Sequence, residues 1–172
     1  MTEPQDVIDV EEVKTPKAGR ANDGGAYLII ADDSDEFLVA LRYAAHKAVA
    51  NRANIIIAYI VNVDDFVHWQ NLEKMMKNEL RDQAEKFLWN AAKIVNDISG
   101  LMPVFYIREG NNQDEIVKII EEDESVRSLV LGGKVDSSSP GSLVSYFTGK
   151  GFARLHVPVM IVPGDLEQKG LR

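Results

Sequence analysis

Short unbroken apolar runs alternate with longer stretches whose apolar residues recur at helical spacing, and no other property of this chain narrows its possible folds as far. The run Ala26 to Ala31 (AYLIIA) is continuous, as a strand buried on both faces requires. Asp32-Asp33-Ser34 stops it, and Ser34 is placed to cap a helix in which Phe37, Leu41, Ala44, Ala45 and Ala48 share one face. Asn54 to Val61, rich in isoleucine, reads as the second strand. A long helix is expected from about Gln70 to Ser99, with Leu72, Met76, Leu80, Ala84, Phe87, Leu88, Ala91, Val95 and Ile98 along its apolar stripe. Gly100 stands where a left-handed stop belongs.

Met102 to Arg108 reads as the third strand, and Pro103 near its start suits a sheet edge. Asn112 is expected to cap a short helix carrying Ile116, Ile119 and Ile120. Ser128 to Gly132 follows as the fourth strand. Beyond a Gly/Ser/Pro loop, Ser139 at the cap and Pro140 at the first helical position are expected to open another helix. Val157 to Val162 completes the set. Strands that alternate with helices pair in parallel through right-handed crossovers. Ligands bind such sheets beyond the carboxyl ends of the strands where the strand order reverses. Here that point falls beside Asp32 and Gly132. The class is therefore α/β, with one folded domain over residues 26–165 between an acidic, disordered tail (1–25) and a short C-terminal tail (166–172).

Composition removes several functions. The formal net charge is -8, which works against a broad nucleic-acid or anionic-lipid surface but not against one small anion pocket. The chain has no cysteine, so disulfides and thiol chemistry are absent. Its amino terminus has no apolar run, and runs such as Ile55 to Ile60 are too short for a bilayer, so no membrane association is expected and the expected location is the cytoplasm. His46, His68 and His156 lack metal-ligand spacing. His68-Trp69, opening the long helix, reads as packing or a lid, and Asp64-Asp65 as a solvated face. Ser34 has no nucleophile elbow around it, and neither GxGxxG after the first strand nor a P-loop occurs.

Four features together resemble the universal stress protein family: Asp-Asp-Ser (32–34) before an Ala/Leu-rich helix, a long amphipathic second helix, Ile-Arg-Glu-Gly (107–110) closing the third strand, and Leu-Val-Leu-Gly-Gly (129–133) leading to Val-Pro-Val-Met-Ile-Val-Pro-Gly (157–164). The resemblance implies a three-layer sandwich around a five-stranded parallel sheet of order 3-2-1-4-5, of the adenine nucleotide alpha hydrolase type. It also implies a stress-response role and a homodimer paired through the last strand. Phe66 to Trp69 and the serine-rich loop 137–145 point to a proteobacterial branch.

By the same carry-over Asp32 lies beside the adenine and ribose, with a helix-dipole partner as the alternative, and Ile60 walls the adenine or is simply core. Nucleotide-binding relatives place Gly-x-x-Gly and then Gly-Ser or Gly-Thr after the fourth strand, so that backbone amides wrap phosphates. Counted from Gly132, the later positions fall on Val135 and Ser145-Tyr146; counted from Gly133, on Asp136 and Tyr146-Phe147. Either register departs from the motif, which implies an atypical member. A different cradle can be drawn from Ser137, Ser138, Ser139 and Ser142, and the alternative is that these serines form a capped, soluble turn. Three readings follow: a regulatory binding protein without efficient catalysis, a slow ATPase or nucleotide transferase using ATP or AMP, and a structural partner of another protein.

Overall fold

In the computed structural model, which describes residues 24–32, 34–62 and 73–170, the apolar runs become strands and the periodic stretches helices. The order is β1 (Ala26–Ala31), α1 (Asp35–Asn51), β2 (Asn54–Val61), α2 (Glu73–Ser99), β3 (Val104–Glu109), α3 (Asn112–Glu122), β4 (Val126–Gly133), α4 (Ser142–Phe147), β5 (Val159–Pro163) and α5 (Leu166–Lys169), with a 3-10 turn at Phe152–Arg154. The strands form one parallel sheet, β3-β2-β1-β4-β5. This is the α/β architecture and strand order expected.

Strand alternation sorts the core into two layers. Tyr27, Ile29, Ala31, Ile55 and Ile57 turn to one face, where they meet Phe37, Leu41 and Ala44 of α1 and Leu88, Ala91 and Val95 of α2. Leu28, Ile30, Ile56, Ala58, Leu129 and Leu131 turn to the other, against Ile116, Ile119 and Ile120 of α3 and Val144 and Phe147 of α4. β1 and the first half of β2 are buried on both sides. That explains their unbroken apolar sequence, since burying each isoleucine contributes roughly 1.5–3 kcal/mol.

Several boundaries move. Asn111, not Asn112, caps α3: its side chain accepts from the amides of Gln113 and Asp114, so the cap lies one residue earlier than expected. β4 begins two residues before Ser128, and β5 begins at Val159 rather than Val157 because Pro158 has no amide to give. The largest shift concerns the helix expected at Ser139-Pro140. Six-residue α4 starts at Ser142, and Gly141 at φ 113° precedes it with no side-chain cap. Ser139 spends its hydroxyl inside the loop instead, where it accepts from the Gly141 amide over a long 3.4 Å.

Both ends of the domain are tied in. Gly24 N–H donates to the Arg52 carbonyl, and Gly25 accepts from the Asn54 amide. α5 packs Leu166 on the core, and its Glu167 pairs with Arg42 of α1 at 3.1 Å. The tail up to Asp23, Asp33, Asp64-Asp65, Phe66, His68-Trp69, the expected start of the long helix before Glu73, and the side chains of Met76 and Leu80 lie outside the described residues.

Candidate functional site

The sheet order reverses at β1, since the chain leaves it toward β2 on one side and later returns to β4 on the other. Beyond the carboxyl ends of β1 and β4 lies a cleft of about 380 Å³. Ile29, Ile30, Ala31, Leu131 and Gly132 form its floor. Asp32, Ser34, Glu36, Phe37 and Ala40 line one wall, Tyr59, Ile60 and Asn112 another, and Lys134 with Pro140 to Val144 the third. A concavity with an apolar floor and polar groups along its walls has the form of a small-molecule site.

The wall after β1 is held rigidly. The Ser34 hydroxyl accepts from the Phe37 amide at 3.1 Å and donates to Asp32 Oδ1, which also accepts from the Ser34 amide at 2.9 Å. Ser34 therefore caps α1 and at the same time fixes the Asp32 carboxylate at the cleft. Oδ2 of Asp32 faces no partner among the described residues and remains available as an acceptor.

Gly132 has a packing role. A Cβ there would come within 2.4 Å of the Glu36 carbonyl oxygen, so only glycine lets the first turn of α1 approach β4 this closely. A Cβ on Gly133 would meet the Ile161 side chain at 3.3 Å, which turns that residue toward β5 and away from the cleft. Of the residues singled out in the sequence, the structure brings Asp32, Ile60, Gly132 and Ser142 together around the cleft. Gly133, Ser137, Ser138, Ser139 and Ser145 are not part of its lining. Ser137 accepts from the Ser139 amide, and the Ser139 and Ser145 hydroxyls pair with each other at 3.3 Å.

Sequence reasoning passed over Lys134, Glu36 and Asn112. Lys134 directly follows the Gly-Gly pair and is exposed at the mouth, where no carboxylate pairs with it among the described residues. Asn112 Oδ1 is buried without a hydrogen-bond partner.

A second hollow, lined by Asp114, Val117, Lys118, Glu121, Arg154 and His156, is a weaker candidate because its cations are already engaged. Lys118 bonds Glu115 at 2.6 Å, and this hydrogen bond and charge raise its pKa. Arg154 donates to the Tyr146 hydroxyl at 2.7 Å and pairs with Asp114 at 2.8 Å, which likewise raises its pKa. Among the described residues no three His, Asp or Glu side chains are grouped to hold a metal ion, and no helix is long and apolar enough to cross a membrane.

A model of the universal stress protein family matches residues 27–163, which is nearly the whole described fold. This chain belongs to the universal stress protein family. Among solved structures, it is similar to the universal stress protein UspA from Lactobacillus plantarum, at 20% identity and a TM-score of 0.65 over 83% of this chain and 99% of that one. It is similar also to a universal stress protein in complex with cAMP, at 19% identity and a TM-score of 0.59 over 84% and 99% of the two chains. A third, the universal stress protein from Archaeoglobus fulgidus in complex with dAMP, shares 14% identity and a TM-score of 0.52 over 80% and 96%. At these identities the structural likeness shows the fold. No curated protein matches.

Proposed function

We propose that this family member is a stress-response regulatory protein that binds an adenine nucleotide in the cleft between β1 and β4 and is not an efficient enzyme. The observation that carries the reading is the cleft itself, at the reversal of strand order, with the fixed Asp32 carboxylate on one wall and the apolar Ile60 on another. An apolar wall suits a purine face, a carboxylate acceptor suits ribose hydroxyls, and the Lys134 ammonium suits a phosphate. The complexes of relatives with cAMP and dAMP support the same ligand class. Against catalysis stands the Ser34 hydroxyl, the one beside Asp32, whose hydrogen bonds to Asp32 and the Phe37 amide make it a cap rather than a nucleophile.

The test is mass spectrometry of small molecules released when the purified protein is heat-denatured, together with thermal melting in millimolar AMP. Recovery of an adenine nucleotide, or a rise in Tm of several degrees with AMP, is expected. The absence of both would defeat the reading.

The same proposal includes a homodimer through β5. This strand lies at a sheet edge, and Ile161 is 42% exposed on it. An open apolar edge invites pairing with a second copy. Light scattering should give twice the chain mass, and Ile161→Glu should halve it; a monomer at micromolar concentration would remove the dimer.

A further inference from the structure

We infer that the cleft selects a nucleoside monophosphate over the corresponding triphosphate, and that Lys134 is the side chain that holds the single phosphate. This rests on the nucleotide reading above and concerns the chemistry of the rim.

A triphosphate needs a row of free donors beyond the first phosphate, and backbone amides ordinarily supply it. In the loop after β4 several of these groups are already engaged. The Lys134 amide donates to the Pro140 carbonyl at 3.1 Å, and the Ser139 amide donates to Ser137 Oγ at 3.3 Å. Residue 140 is proline and has no amide to give, and the Gly141 amide points to Ser139 Oγ. The hydroxyls of Ser139 and Ser145 face each other rather than the cleft.

Among the described residues the charged lining is Asp32 and Glu36 against Lys134, with Asp136 exposed two positions along the loop. Each added phosphate brings more negative charge to a rim that already carries more carboxylates than cations. The volume points the same way. About 380 Å³ is at the small end of ligand sites, which span roughly 300–1,000 Å³. One phosphate has the Lys134 ammonium as its partner, and each further phosphate adds charge beside the carboxylates.

Isothermal titration and thermal melting of the full chain with adenosine, AMP and magnesium ATP test this directly. AMP should bind at least about ten-fold more tightly than magnesium ATP. Lys134→Ala should weaken AMP to the level of adenosine and leave adenosine unchanged. Because Lys134 is exposed, the variant should melt with the wild-type chain in the absence of ligand. Magnesium ATP binding as tightly as AMP would overturn the inference and leave the nucleotide reading intact. So would unchanged AMP affinity in Lys134→Ala. No heat and no change in Tm with any of the three ligands would remove the nucleotide reading, and the inference with it.

Discussion

The turn after β1 and the turn after β4 face each other across one cleft, yet they are built by opposite means. The first is short and fastened to the core: Ser34 joins Asp32 to the first turn of α1, and Phe37 behind it is buried. The second runs through residues 134–141, is exposed along most of its length, bonds chiefly to itself and ends in a six-residue helix with no side-chain cap. Gly132 joins the two, because its bare Cα is what α1 rests on. The contrast teaches that the wall offering a carboxylate and an apolar face is part of the folding core. The β4 side is a surface loop, and its sequence can change at little structural cost.

Substitutions that separate the walls would break or sharpen this contrast. The largest effect is expected at Gly132→Ala, which drives a methyl to 2.4 Å from backbone and should destabilise by about 2–4 kcal/mol in urea unfolding. Gly133→Ala, whose methyl meets Ile161 Cγ2 at 3.3 Å and backbone only at 3.9 Å, should cost less, about 1 kcal/mol. Equal losses at the two glycines would show that the close approach of α1 is not the reason for Gly132.

Ser34→Ala should follow with a loss of about 1 kcal/mol, largely restored by Ser34→Thr, since the cap is what is removed. At the third wall the neighbouring asparagines should differ. Asn111→Ala should cost about 1 kcal/mol, whereas Asn112→Ala should be neutral or stabilising, because it deletes a buried oxygen with no partner. Smallest of all, Ser139→Ala in the β4 loop should change stability by less than about 0.5 kcal/mol. A loss there as large as at Ser34 would make the two turns equivalent and undo the comparison.

The same division governs what could be read in advance. Burial on both faces leaves its mark as unbroken apolar residues, so β1 and β2 are legible to the residue, and Ser34 is legible as a cap because its bond is local. Asp32 and Ile60 are legible as cleft-lining residues through the family pattern. Ser139-Pro140 misleads because a serine before a proline has the chemistry of a helix start wherever it occurs, and only the fold shows the hydroxyl directed into the loop. The role of Gly132 is hidden for a different reason. Its constraint is a contact with Glu36, which is ninety-six positions away and on another element. Lys134 escapes notice because a single exposed lysine acquires meaning only from the cleft beside it.

The central claim is that these two turns together form the ligand site, and hydrogen exchange measured with and without saturating AMP tests it most directly. The account predicts slower exchange in peptides covering residues 31–37 and 132–144, with little change around the second hollow at Lys118 and Arg154. Protection centred on that hollow, or none at the cleft under saturation, would contradict it.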